Sequence, residues 1–329
     1  MVFFVCVIAA ILGYALYKVI IKGDSSIVLA LAETVGKSPE KHFNGKVVWL
    51  IGASSGIGED IVYQLVKCNC RLILSARRVE LLESVKIAAL EKSWSASEED
   101  ICILPLDQMA FDSFELSVEK ANKAFDRPVD IVILNAGQSQ RSDWASVEPE
   151  VDLACFNLNA LGPTVLARKI LPSMIARKSG QFVVVSSLAG LIGVPLSPSY
   201  AAAKHALNGY FRSLSLDHCH DGIDVTIVCP GLTYAPNNPQ NAFTNASGQK
   251  HGQVLTEITP AHMTSERAAH LICTAAANRL TEVWISKTKL PLLLCYASFL
   301  LPDAVKGLVL LLGPERLKRM RAGNSQTGR

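Results

Sequence analysis

The sequence has little that would indicate a disulfide framework, a metal centre or a nucleic-acid partner. Its nine cysteines are scattered, and the closest pair, Cys68 and Cys70, is C-x-C rather than C-x-x-C. The 32 basic residues nearly balance the 29 acidic residues, and a formal net charge of +3 gives no reason to expect binding to nucleic acid. Internal repeats, low-complexity tracts and long charge runs are also absent. We therefore expect neither a metal site nor a nucleic-acid partner.

Apolar character, by contrast, is abundant. Half of the 329 residues are hydrophobic, and the mean hydropathy of +0.27 is high for a wholly soluble protein. A chain of this length accommodates one large domain with appendages. We divide it into an N-terminal membrane segment (1–24), a linker (25–45), a catalytic domain (46–286) and a C-terminal extension (287–329).

The N-terminal segment is predicted to be a membrane anchor. Val2 to Tyr17 carries no charge and apolar residues resume after Lys18, so the stretch approaches the length needed to cross a bilayer core. No basic residue precedes the run and bulky residues end it, which favours an uncleaved anchor over a removed signal peptide. Lys18 and Lys22 favour a cytosolic body, whereas the sequon at Asn245 would matter only in a luminal one, so the side stays open.

The C-terminal extension contains two apolar runs, each too short to span a bilayer and broken by Pro302 or Gly313. Basic residues follow, namely Arg316, Lys318, Arg319 and Arg321. One interpretation is a helical hairpin in the bilayer interface with its cations at the headgroups. The alternative is a pair of helices that covers the core or a homodimer interface. Both interpretations stay open.

The catalytic domain alternates short apolar runs with segments of helical spacing. The runs, such as "VVWLIG" and "DIVILN", are continuously apolar, which is typical of a parallel sheet covered on both faces. The alternation predicts an α/β fold with a doubly wound parallel sheet of the Rossmann type. The irregular, polar stretch from Thr233 to Gln253 is predicted to be a flap.

A glycine-rich loop, "GASSGIG", joins the first predicted strand to the first helix of this domain. Glycines at such a turn let the backbone approach a pyrophosphate, and the helix N-terminus then faces the phosphates. The order G-x-x-x-G-x-G differs from G-x-G-x-x-G, so the position of the loop carries the argument. The candidate cofactor-binding residues here are Gly52, Ser54, Ser55, Gly56, Ile57 and Gly58.

The end of the second predicted strand indicates which dinucleotide binds. A fold that selects NAD(H) usually has an acidic residue there for the ribose 2′-hydroxyl. This chain has Arg77 and Arg78, whose guanidinium groups would pair with a 2′-phosphate. We therefore expect NADP(H) in preference to NAD(H). Of the two, Arg78 is more easily explained as a solvated surface residue.

Ser187, Tyr200 and Lys204 are the candidate catalytic residues. Tyr200 and Lys204 are four residues apart on a predicted helix and so share a face. A tyrosine has an ordinary pKa of about 10, but a neighbouring ammonium and a positively charged nicotinamide favour the phenolate. Tyr200 would then exchange a proton with a substrate oxygen, to which Ser187 also donates a hydrogen bond. The cofactor would carry the hydride.

These motifs, in this order, resemble the classical short-chain dehydrogenase/reductase family from about Lys46 to Ser286. The resemblance adds "NAG" and "PG" motifs and single residues to the cofactor site, which are Asp107, Asn135, Ala136, Gly137, Pro230, Gly231, Tyr200 and Lys204. It implies that Asn159 supports a proton relay through Lys204. Ala235 stands where the family often has a threonine that contacts the cofactor, and Thr233 is the candidate substitute.

Within this family the anchor, "LILSARR", "SQRS" and the apolar tail look most like the membrane-bound dehydrogenase/reductase member 7 group. The group implies an endoplasmic-reticulum-type membrane and lipophilic carbonyl or alcohol substrates such as steroids or retinoids. The rival hypothesis is a membrane-tethered scaffold that binds nucleotide without turnover, and Ala235 motivates it. The complete set of Asn159, Ser187, Tyr200 and Lys204 favours the enzyme.

Overall fold

The computed structural model describes residues 23–93, 95–235, 242–249 and 261–313. Nine β-strands lie among them: β1 (Val47–Ile51), β2 (Arg71–Ser75), β3 (Ile101–Ile103), β4 (Ile131–Leu134), β5 (Gly180–Val185), β6 (Ile223–Pro230), β7 (Thr233–Tyr234), β8 (Met263–Thr264) and β9 (Glu282–Ile285). Seven of these form one parallel sheet in the order β3-β2-β1-β4-β5-β6-β9, and β7 pairs with β8. The order in which strands are added to the sheet reverses between β1 and β4. A doubly wound sheet binds its ligand at this switch point.

Helices connect the strands and cover both faces of the sheet. The α-helices of the described chain are α1 (Ile27–Val35), α2 (Pro39–Phe43), α3 (Ile57–Leu65), α4 (Val79–Glu91), α5 (Phe114–Lys123), α6 (Pro149–Phe156), α7 (Gly162–Ala176), α8 (Pro198–Asp217), α9 (Ser265–Ala277), α10 (Lys289–Leu300) and α11 (Pro302–Leu312). A π-helical segment, Asn157–Leu161, joins α6 to α7. The predicted doubly wound α/β fold is therefore confirmed.

Two buried hydrophobic layers sandwich the sheet, as the continuous apolar runs predicted. In β1, Val48 and Leu50 face the layer that contains α3 and α9, and Trp49 faces the layer that contains α7 and α8. All five residues of β1 are buried. Burial on both faces explains why the strand lacks the alternation of a half-exposed sheet.

The predicted membrane anchor lies outside the described residues except for its last two positions. Across the ranges that the structure describes, no helix combines the length and the apolar character needed to cross a membrane. Residues 25–45, treated above as a linker, contain α1 and α2. Arg267 of α9 forms ion pairs with Asp24 and Glu33, which hold this segment against the domain.

Candidate active site

The glycine loop lies at the carboxyl edge of the sheet, and its backbone excludes side chains at two positions. Gly52 has a φ of +88°, and a Cβ there would lie 2.6 Å from the amide nitrogen of Ala136. A Cβ on Gly58 would collide with the carbonyl oxygen of Gly52. Gly56 is the N-cap of α3, whose first amide groups open at the loop. A side-chain-free turn at a helix N-terminus fits a pyrophosphate, so these residues fit a dinucleotide.

The two serines of the glycine loop lie beside an arginine from the turn after β2. The guanidinium of Arg78 is 3.4 Å from Ser54 Oγ and 3.4 Å from Ser55 Oγ. Arg77 precedes it in the same turn after β2, and both side chains are exposed. Ile57 begins α3 and packs against the core. Arg78, rather than the Arg77 that the sequence favoured, is therefore the cation placed against the loop.

The "NAG" segment after β4 is hydrogen-bonded to the end of β1 and to the glycine loop. The amides of Asn135 and Ala136 both donate to the Ile51 carbonyl, at 3.0 and 2.9 Å. The Asn135 side chain donates to the Gly52 carbonyl at 3.0 Å. A Cβ on Gly137 would lie 2.7 Å from Asn159 Oδ1. The segment thus joins the cofactor loop to the catalytic candidates.

Asp107 follows β3 at the same edge of the sheet. Its Oδ1 accepts a hydrogen bond from the Met109 amide at 3.0 Å, which closes a turn. The side chain is half-buried. Asp107 therefore lies beyond β2 from the switch point, on the side where the adenine is expected.

Asn159 is fully buried in the π-helical segment between α6 and α7. Its Oδ1 accepts from the Gln138 amide at 3.1 Å, and its Nδ2 donates to the Gln138 carbonyl at 3.0 Å. Nδ2 also donates to the Cys155 carbonyl at 3.0 Å. The side chain therefore fixes the loop after β4, and single π-helical turns of this kind are frequent at functional sites.

Tyr200 and Lys204 lie on consecutive turns of α8, which begins at Pro198. The Lys204 Nζ is 5.9 Å from the centre of the Tyr200 ring and donates to the Val185 carbonyl at 3.0 Å. Tyr200 is half-buried and packs against the small cluster that contains Phe243. The pair therefore shares one face, as its spacing predicted.

Lys204 is an ammonium group in an apolar environment, only 3% exposed. Burial lowers the pKa of Lys204 from 10.5 to about 8, opposed weakly by the neighbouring thiols of Cys229 and Cys155. The proton on Nζ is thus much more easily lost than that of a surface lysine.

Ser187 lies two residues beyond the end of β5, slightly later than the strand end that the sequence indicated. Its Oγ accepts a hydrogen bond from the Ala189 amide at 3.1 Å and donates to the Pro230 carbonyl at 3.4 Å. Gly231, next to Pro230, donates through its amide to Ile285 at 2.7 Å. The serine and the "PG" motif are therefore neighbours at the carboxyl edge.

Thr233 is the last of the predicted cofactor residues along the chain. Its Oγ1 donates to the carbonyl of Gly231 at 3.3 Å, and its backbone lies in β7. Thr233 is half-buried, as is the neighbouring Ala235. The hydroxyl is therefore close to the "PG" motif, where a substitute for the missing threonine would be needed.

Sequence reasoning missed two glutamines that organise these elements. Gln108 is 3% exposed and donates through Nε2 to the carbonyls of Ala136, at 3.1 Å, and Leu158, at 2.6 Å. Gln140 is fully buried, and its Oε1 accepts from the amides of Ser199 and Tyr200 at 2.8 and 3.4 Å. Neither belongs to a motif of known chemistry, and the "SQRS" stretch around Gln140 was the only available signal.

The catalytic domain matches a known family. The family model for short chain dehydrogenases matches residues 46–245. The chain is 37% identical over 305 residues to dehydrogenase/reductase SDR family member 7 of Homo sapiens, covering 92% of this chain and 88% of that one. It is 30% identical over 262 residues to member 7B of Bos taurus, covering 79% of each chain.

Solved structures show the same fold at lower identity. A short-chain dehydrogenase from Streptomyces avermitilis aligns with a TM-score of 0.66 and 23% identity, over 84% of this chain and 99% of that one. An alcohol dehydrogenase from the archaeon Thermococcus sibiricus, complexed with 5-hydroxy-NADP, aligns with a TM-score of 0.61 and 20% identity, over 74% and 97%. Together with the family match, which spans the glycine loop and the Tyr200–Lys204 pair, these findings identify the chain as an oxidoreductase of the short-chain dehydrogenase/reductase family, which binds a nicotinamide dinucleotide.

Proposed function

We propose that this protein interconverts a carbonyl and an alcohol on a lipophilic substrate by hydride transfer with NADP(H). The observation that carries the proposal is the buried ammonium of Lys204, one helical turn from Tyr200 and 5.9 Å from its ring. A buried cation destabilises the fold, so its presence beside Tyr200 indicates a functional role. A scaffold would need these residues only as nucleotide contacts, whereas a phenol paired with an ammonium also suits proton transfer.

In this proposal Tyr200 is the general acid and base. Its phenol donates a proton to the substrate oxygen during reduction and takes one during oxidation. Lys204 stabilises the phenolate electrostatically. Ser187 donates a hydrogen bond to the same oxygen as charge develops, and its link to the Pro230 carbonyl holds it at this edge. The bound nicotinamide dinucleotide supplies or accepts the hydride.

Asn159 contributes by position and by its place in the proton relay through Lys204. A Cβ on Gly137 would lie 2.7 Å from Asn159 Oδ1 and 3.5 Å from Lys204 Nζ, so both polar groups flank the same backbone. Since the Asn159 side chain is engaged with Gln138 and Cys155, it keeps the π-helical turn in place beside Lys204. This supports a relay that depends on the geometry of the turn.

The choice of NADP(H) is supported by the two arginines after β2. Arg78 lies against the serines of the glycine loop, where the phosphates are expected. Arginines stand at positions 77 and 78, where an NAD-selective fold has an acidic residue. Arg78→Asp should therefore lower kcat/KM with NADPH and raise the ratio of NADH to NADPH use at least tenfold. Arg77→Asp tests the second cation, and a smaller shift is expected because Arg78 is nearer the loop. An unchanged ratio in both variants would overturn the assignment.

Turnover itself is tested on the full chain, purified in detergent or in nanodiscs. The protein is incubated with NADPH and steroid and retinoid carbonyls, and with NADP⁺ and the corresponding alcohols. Tyr200→Phe, which keeps the ring and removes the hydroxyl, is the matched control. Wild-type turnover far above that of Tyr200→Phe is expected. Nucleotide binding with no difference in rate on any substrate would favour the scaffold.

The lipophilic substrate class goes with a membrane location. We propose that residues 1–24 anchor the protein in an endoplasmic-reticulum-type membrane, from which an apolar substrate reaches the carboxyl edge of the sheet. The expressed full chain should stay in the membrane pellet after carbonate extraction. The side is read from Asn245, since only a luminal body would carry a glycan there that an endoglycosidase removes. Release by carbonate would refute the anchor.

A further inference from the structure

The two C-terminal helices expose an unusually apolar surface. Ten large apolar residues between Leu290 and Leu312 are exposed, which are Leu290, Leu293, Tyr296, Phe299, Leu300, Leu301, Leu308, Leu310, Leu311 and Leu312. Soluble monomers rarely expose so much apolar area in one place, and such areas mark contacts with proteins or membranes. We call the pair α10 and α11 the leucine hairpin.

The hairpin is attached to the catalytic domain through α10. Leu292 and Cys295 of α10 are buried in the core layer that also contains α8. The ring of Trp284, on the edge strand β9, lies 4.5 Å from that of Tyr296 and 6.5 Å from that of Phe299. The exposed leucines of α10 therefore belong to an element that is packed against the edge of the sheet.

The second helix of the hairpin is apolar on more than one side. No residue of α11 is buried, although every one of its positions is described. Since successive residues turn by about 100°, the last four, Val309–Leu312, cover the whole circumference of the helix. A single protein partner would cover one side of such a helix, whereas lipid around an inserted helix end contacts every side of its last turn. This distribution favours a bilayer over a second copy of the chain.

The predicted anchor enters the domain beside the first turn of α10. The Ser286 amide donates to the Asp24 carbonyl at 2.8 Å, and Lys289 Nζ donates to the Ser25 carbonyl at 2.9 Å. Asp24, next to Gly23, at which the described chain begins, therefore lies beside the carboxyl end of β9. An anchor fixed at this point brings the bilayer surface to the hairpin.

The charges around the hairpin also suit a bilayer. Lys287 and Lys289 lie at the start of α10, and four basic residues follow Gly313 in the sequence, namely Arg316, Lys318, Arg319 and Arg321. Basic residues that flank an apolar helix interact with anionic headgroups. The acidic residue of the hairpin, Asp303, lies in the first turn of α11, away from the apolar last turn.

We propose that the leucine hairpin inserts into the interfacial layer of the bilayer, as a second membrane contact beside the N-terminal segment. The proposal uses the anchor only to locate the bilayer. Because the Gly231 amide is bonded to Ile285 at the carboxyl end of β9, this contact also brings the substrate side of the sheet to the lipid. An apolar substrate would then enter the site from the interfacial layer.

The test places a photocrosslinking amino acid, p-benzoylphenylalanine, at single positions of the full chain in liposomes of phosphatidylcholine and phosphatidylserine with a labelled lipid tracer. The probes are at Leu293, 60% exposed, and Leu311, 86% exposed. The matched control is Ile87, also 60% exposed, on α4 at the opposite edge of the sheet. Lipid adducts at 293 and 311, at least tenfold above those at 87, are expected.

Two results would overturn the proposal. Crosslinks of 293 or 311 to a second copy of the chain, without lipid adducts, would assign the surface to a homodimer. Lipid adducts no more frequent than at Ile87 would show that the hairpin is exposed to water. Carbonate extraction of the same samples reports on the N-terminal anchor separately, so an attached protein without adducts at 311 refutes the hairpin contact alone.

Discussion

Replacing Gln140 should disturb Tyr200, the proposed acid and base, through its backbone rather than its phenol. Gln140 Oε1 accepts from the amides of Ser199 and Tyr200, which are the second and third residues of α8. These amides belong to the helix end whose donors have no partner within the helix. Gln140 therefore acts as an N-cap supplied from another loop, and the residue it caps carries the proposed acid and base.

The expected loss of stability follows from the two hydrogen bonds that Gln140 Oε1 accepts and from the burial of these groups. Gln140→Leu keeps the volume but leaves the Ser199 amide, bonded at 2.8 Å, without its acceptor in a buried site. Leaving one buried amide unpaired costs about 1–3 kcal/mol, and the longer bond to Tyr200 contributes less. We expect the free energy of unfolding to fall by about 1–3 kcal/mol. If the same free energy is lost from the transition state, kcat falls by about fivefold to about 160-fold, since 1.36 kcal/mol is tenfold in rate.

The assay compares three variants by urea unfolding, by NADP(H) affinity and by kcat and KM on a substrate from the carbonyl screen. Gln140→Glu keeps an oxygen acceptor at a helix N-terminus, where negative charge is favoured, and should retain most of the wild-type kcat. Ser142→Ala is the control, because Ser142 lies in the same loop and its hydroxyl contacts Asp143 and Ser146 rather than α8. A Gln140→Leu variant with the stability and kcat of Ser142→Ala would refute the reasoning. If NADP(H) affinity fell by the same factor as kcat, the substitution would have disrupted the whole cofactor site rather than the position of Tyr200.

Three further predictions follow from the same geometry. Lys204→Met should abolish turnover yet not lower stability at pH 7, because burial lowers the pKa of Lys204 to about 8 and the charged form disfavours the fold. In chemical unfolding of the wild type, the buried charge should lower the free energy of unfolding by its full amount below pH 8. This loss should shrink as the pH rises towards 10.5, where the unfolded chain also loses the proton. Gly58→Ala should weaken NADP(H) binding at least tenfold by calorimetry, since its Cβ collides with the Gly52 carbonyl. Gln108→Leu should lower the thermal midpoint and kcat together, because it removes the donor of the buried Leu158 carbonyl and the half-buried Ala136 carbonyl; an unchanged midpoint would refute that role.

The sequence predicts well those parts of the fold and site that depend on local pattern. Continuous apolar runs predicted the strands because both faces of the sheet are covered, and the one-turn spacing of Tyr200 and Lys204 placed both on one face of α8. Boundaries were less accurate, since β5 ends at Val185 and Ser187 caps the following turn. The π-helical turn at Asn159 was not predicted, because it is a single turn within a stretch that has helical spacing throughout.

What the sequence could not predict depends on contacts between distant positions. Gln140 lies 59 residues from Ser199, and Gln108 lies 50 residues from Leu158, so no local spacing reveals either bond. Arg77 and Arg78 are adjacent and chemically identical, and only the direction of the turn after β2 places Arg78 against the glycine loop. Each of these residues is polar and belongs to a loop, where sequence pattern carries the least structural information.

The loop after β4 has a larger role than its three-residue motif suggests. Five of its residues, 136–140, carry three contacts. Ala136 is hydrogen-bonded to the end of β1, Gln138 to the Asn159 side chain, and Gln140 to the first turn of α8. Gly137, between these contacts, has room for no side chain because Asn159 Oδ1 occupies that space. A shift of this loop would therefore move Asn159, of the proposed relay, and Tyr200, the proposed acid and base, together. Mutations in the loop should for this reason be non-additive with mutations of Asn159, whereas those at Arg78 should be additive.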